Sequence, residues 1–161
     1  AAGGTIASSQ TNYDMRMGPA TRQAGRCTGD VTRNASETLT DVTGVKFFMG
    51  ASETWDFEFM GRATIGATPD IKLAFTVPAA ATINGVVEKI EAASIVAANS
   101  TDLTSASTLA SANAGIGIRG FGQAVNSTTA GWVQLQFAQG TSTAEDTIVR
   151  AGTFIVAHRV V

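Results

Sequence analysis

After residue 37 the chain alternates apolar and polar residues with a period of two. Val45, Phe47 and Met49 open the pattern, and Ala51-Ser52-Glu53 turns the chain. Trp55, Phe57 and Phe59 then face one way while Asp56, Glu58 and Met60 face the other, the signature of a half-buried β-strand. Ile71, Leu73, Phe75 and Val77 repeat it after Thr68-Pro69-Asp70, and Pro78 stops it. A weaker strand is predicted over 83–90, and one or two more over Ile116, Ile118 and Val125. Val133, Leu135 and Phe137 alternate with Trp132, Gln134 and Gln136; short strands at 147–150 and 153–158 follow, separated by Ala151-Gly152. No amphipathic helix is legible. Residues 97–114, rich in Ser, Thr, Ala and Asn, are expected to form a long exposed loop.

About eight short strands with turns between them predict an all-β fold, a jelly-roll-like antiparallel β-sandwich over residues 37–161. Residues 1–36 show no such period and are expected to form an extended N-terminal arm. Tyr13, Met15 and Met17 are the sizeable apolar groups there, and Arg16, Arg22 and Arg26 outweigh Asp14. Too little surface can be buried for this segment to fold alone, so it is either disordered or ordered on a neighbour. The anchors favour the second, with Tyr13, Met15, Arg16, Met17, Arg22 and Arg26 as expected partner contacts.

Only 15% of the residues are charged, against roughly 25% in ordinary soluble domains. A surface this poor in charge points to an assembly component, much of it covered by protein. The net charge of −2 argues against a nucleic-acid binder. The opening Ala1-Ala2-Gly3-Gly4-Thr5 lacks a signal peptide's basic and apolar segments, and no apolar run is long enough for a bilayer. The chain therefore reads as a cytoplasmic product with no membrane partner. The single Cys27 excludes an internal disulfide framework.

Signals for catalysis are weak. His158 is the one histidine, which leaves no Ser-His-Asp, Cys-His or multi-histidine metal site within one chain. Arg26 beside Cys27 is expected to lower the thiol's pKa somewhat, but no base lies in sequence reach. Gly115 to Gly120 matches the GxGxxG dinucleotide pattern without the strand before it and the helix after it that phosphate binding requires. Asp56 and Glu58 share a strand face and could serve a glycoside hydrolase, but read more simply as a wet strand side. Three glycosylation sequons, at Asn34, Asn99 and Asn126, carry no weight without a secretion signal. No enzyme, cofactor or metal site is expected.

The segments Glu53–Phe59, Asp70–Pro78, Val133–Gln139, Val149–Phe154 and Ala157–Val160 resemble a recurrent type of phage-encoded β-sandwich virion protein. The resemblance covers residues 37–161 and rests on strands and turns, so no functional residue transfers. It implies a capsid decoration (cement) or tail-fibre domain, commonly a homotrimer. The expected role is to stabilise a capsid by binding the major capsid protein, on the virion surface after assembly in the host cytoplasm. The alternatives are a tail-fibre or tail-spike domain for host receptor binding, and a carbohydrate-binding module or spike hydrolase. Trp132, out of phase with its apolar neighbours, is expected at an interface.

Overall fold

The computed structural model describes residues 22–91, 94–100, 102–110 and 115–160, which form twelve strands. They are β1 (Arg22–Arg26), β2 (Val31–Arg33), β3 (Thr40–Met49), β4 (Thr54–Ile65), β5 (Ile71–Thr76) and β6 (Thr82–Glu91). Then come β7 (Ser94–Ser100), β8 (Ser107–Leu109), β9 (Ile116–Val125), β10 (Gly131–Gln139), β11 (Thr147–Val149) and β12 (Phe154–Arg159). The larger sheet runs β1-β12-β4-β9-β6-β7, with β11 and β2 beside one end of β4; the smaller runs β3-β10-β5-β8.

Every pairing is antiparallel, and four are nested: β1 with β12, β3 with β10, β4 with β9, and β5 with β8. The chain is thus a long folded ribbon. Rolling it brings β12 against β4 in one sheet and β10 against β5 in the other. That is the jelly-roll arrangement. The β6–β7 hairpin widens the larger sheet beyond β9, and the β2–β11 pair lengthens it.

Period-two patterning places one face of each sheet in a common core. Trp55, Phe57 and Phe59 of β4 point inward and meet aromatics of the other sheet: Phe47 lies 5.8 Å from Trp55, and Phe75 lies 5.3 Å from Phe57 and 5.7 Å from Phe59. Burying an aromatic of this size contributes about 2–3 kcal/mol. Leu103 plugs the space between the sheets and ties them by backbone, donating to the Ile83 carbonyl and accepting from the Phe75 amide.

Two expectations are corrected. Residues 22–33, assigned to the extended arm, include β1 and β2 of the larger sheet. Cys27 and Val31 reach the core, but β1 itself is held mainly by its backbone and by Gln23. β1 makes five registered pairs with β12, and Gly25 packs against the Gly44 and Lys46 carbonyls with no room for a Cβ. The Gln23 amide donates to the Phe48 carbonyl at 2.7 Å and accepts from its N–H at 2.8 Å, so a side chain completes a strand-like bridge between sheets. Secondly, the long loop expected over 97–114 contains the end of β7 and all of β8, held by pairing to β6 and β5.

Cys27 also departs from expectation. It is buried in the core, its thiol donating to the Gly29 carbonyl. Burial pushes its pKa up, ahead of any lowering by neighbours.

Candidate assembly interface

In an antiparallel sheet, directly opposed residues project from the same face. On the outer face of the larger sheet one rung therefore reads Arg26, Phe154, Met60, Arg119, Glu88 from β1 to β6. The next reads Ala24, Val156, Glu58, Phe121, Val86, and the one beyond it Arg22, His158, Asp56, Gln123, Asn84.

Of seven large apolar side chains exposed among the described residues, six project from this face: Met60, Ile95, Phe121, Val125, Phe154 and Val160. Ile95 and Phe121 keep 57% and 50% of their surface in water, more than isolated strand residues need to. Covering one such half-exposed side chain would contribute roughly 1 kcal/mol. Polar groups are interspersed. Arg119 pairs with Glu88, and Asp56 accepts from Gln123 at 2.9 Å. Glu58, beside Phe121, has no hydrogen-bonding or ionic partner among the described residues and leaves an uncompensated carboxylate within the patch.

The seventh, Phe48, lies on the outside of the smaller sheet. It meets Trp132 edge-on at 5.3 Å, with the Lys46 ammonium 4.4 Å above the indole. Trp132 is half-buried there, in contact with its own sheet.

Of the six contact residues expected from sequence, Arg22 and Arg26 are exposed on β1, opposite His158 and Phe154, at the rim of the apolar face. Tyr13, Met15, Arg16 and Met17 lie outside the described residues. The sequence reasoning missed the face itself. Its members come from four strands far apart in sequence, and each alone resembles a stray apolar residue on a wet side. Their one sequence signal is a large apolar group at an outward position, as at Met60 and Phe154.

Gly117 and Gly120 of the glycine pattern lie within β9, where Gly120 admits the Phe59 ring and the Val86 carbonyl; a strand continues where a nucleotide site would have a helix. Asp56 and Glu58 stand on the outer face. Among the described residues no group of three His, Cys, Asp or Glu side chains is placed to hold a metal ion.

No protein-family model and no curated protein matches the chain. A search of solved structures finds a chain of the tripod (BppUct-A-L) from the baseplate of bacteriophage Tuc2009. It is 9% identical with a TM-score of 0.34, over 98% of this chain and 75% of that one, a likeness too distant to bear on function. What is established is an all-β jelly roll whose larger sheet carries several exposed large apolar side chains on a mixed outer face.

Proposed function

We propose that this chain is a non-enzymatic structural protein of a bacteriophage particle, a homotrimer that decorates the capsid and stabilises it by binding the major capsid protein. The observation that carries the assembly role is the collection of six exposed large apolar side chains on one sheet face. Exposed apolar side chains gathered on one face of a sheet support a contact role for that face. The low charge of the whole chain agrees with a surface largely covered by protein. The phage setting rests on the resemblance of the strand and turn segments noted above.

In this reading the outer face packs against a neighbouring subunit, and residues 1–21, with Tyr13, Met15, Arg16 and Met17, contact the capsid. Arg22 and Arg26 stand at the junction of the two surfaces. Closed symmetry buries like patches in every copy, and several modest contacts per trimer add up through avidity. The work is mechanical: tying capsid subunits together against internal pressure.

The test removes residues 1–21, which leaves β1 intact, and measures occupancy on expanded capsids beside the full chain. Occupancy is expected to fall at least roughly tenfold, the scale of avidity lost with one set of contacts. Undiminished occupancy would take the segment out of the mechanism. A copy number per particle far below that of the capsid lattice would favour the tail-fibre alternative.

A further inference from the structure

Beyond the apolar patch, the outer face has a concave region where β4 and β9 meet the turn between β11 and β12. It is a depression of about 660 Å³ whose lining includes Asp30, Arg62, Thr64, Gly117 and Arg150. Gly117 forms part of its floor, in the rung beside Arg62, and brings no side chain of its own. Arg62 supplies a cationic wall, and Ala63 and Ile116 the apolar part of the lining.

The charges are arranged rather than scattered. Arg150 is held from two sides, its Nε donating to Thr64 Oγ1 at 2.9 Å and its Nη1 to Asp30 Oδ2 at 2.7 Å. The other Asp30 oxygen accepts the Ala151 amide at 2.8 Å, so both are committed. Arg62 is exposed, and its side chain has no bonded partner among the described residues. Two guanidiniums against one carboxylate leave a net charge of +1 in the depression. The Arg119–Glu88 pair on the neighbouring rung is neutral and does not offset it. The carboxyl of Asp30 is accordingly held below its ordinary range, first by the Ala151 amide and the Arg150 hydrogen bond, and further by the charges of Arg150 and Arg62. A guanidinium already oriented by its neighbours loses little freedom when it binds a planar oxyanion.

We propose that this depression binds an oxyanion carried on a group of monosaccharide size, such as the carboxylate of a uronic acid. The anion lies between Arg62 and Arg150, and the body of the ligand lies over Gly117 toward Gly115. The open volume favours a ligand larger than a bare ion; charge-assisted, forked hydrogen bonds favour carboxylate or phosphate over neutral sugar.

The test titrates the full chain with glucuronate, inorganic phosphate and glucose, followed by NMR chemical shifts. Saturable glucuronate binding at least roughly tenfold tighter than glucose is expected, the difference of one charge-assisted contact. Arg62→Gln, an exposed change, should weaken it by a similar factor while leaving the spectrum folded. Gly115→Leu should also weaken it, because Gly115 lines the depression and a Cβ there meets nothing within 4 Å. Phosphate binding with the same dependence on Arg62 would support the oxyanion site and identify a free anion as sufficient. Glucose binding as tightly as glucuronate, no saturable binding of either anion, or indifference to both substitutions would overturn the proposal.

Discussion

Several single residues hold the fold by satisfying polar groups that the roll would otherwise leave buried and unpaired. Gln134 is one. The β3–β10 register slips between Gln134 and Gln136, and the buried Gln134 amide donates to the carbonyls of Val42 and Val45 freed by that bulge. Thr147 is the counterexample: it is fully buried, and its hydroxyl has no hydrogen-bond partner among the described residues. Thr147→Val should therefore raise stability by about 1 kcal/mol, since an unpaired buried hydroxyl is replaced by a methyl of like shape. A urea midpoint that falls would show that the hydroxyl is bonded after all. Glu53 gathers three donors: the Gly50 amide at 2.7 Å, the Trp55 indole at 2.8 Å and Arg159 at 2.8 Å. Burial pushes its pKa up, but the hydrogen bonds from Trp55, Gly50 and Arg159 outweigh that and leave it below the ordinary value of 4.5. A carboxyl depressed in the folded state contributes stability above its unfolded pKa and loses it as the pH falls through the folded one. Stability should accordingly decline below about pH 4.5, and Glu53→Gln should flatten that part of the acid limb. An acid limb of unchanged slope in the variant would assign the decline to other carboxylates.

At the level of elements, strands carrying strong alternation were legible and strands held by backbone were not. β4, β5 and β10 follow from Trp55-Phe57-Phe59, Ile71-Leu73-Phe75 and Val133-Leu135-Phe137, and all nine residues are buried. The expected number of strands, about eight, equals the number in the roll, but the membership differs. β6 and β11 were expected and lie outside the eight nested strands, whereas β1 and β8 belong to them and were missed. Arg22-Gln23-Ala24-Gly25-Arg26 has no large apolar side chain to betray it; its place depends on a partner strand more than a hundred residues away. Gln23→Ala isolates that dependence, for it deletes both hydrogen bonds to Phe48 and keeps the β1–β12 ladder. We expect a loss of about 1–3 kcal/mol, from leaving Phe48 backbone groups unpaired, and faster amide exchange along β1 than elsewhere. Uniform exchange across the larger sheet would mean the corner is not a separate unit.

Taken whole, the molecule has two unlike exteriors. The smaller sheet's aromatic pair, Phe48 and Trp132, is packed on itself with Lys46, while the larger sheet leaves Met60, Phe121 and Ile95 without cover. The assembly proposal predicts that Phe121→Glu, placed beside Glu58, lowers oligomeric mass in light scattering while the thermal unfolding profile stays near that of the parent. An unchanged oligomer would move the interface off this face. The anionic-ligand depression is separable from that test, because Phe121 stands opposite Glu58, two outward positions along β4 from Arg62.

The linear order of residues was enough for the all-β character, the inward faces of the strongest strands, and the scarcity of charge. Those properties are local: a strand's period and a residue's polarity do not depend on distant neighbours. The exposed apolar side chains of the outer face, the glycine beside Arg62, and the stitching of β1 arise from register. Register is a relation between segments far apart along the chain, and a shift of one residue would turn each of these groups to the opposite side.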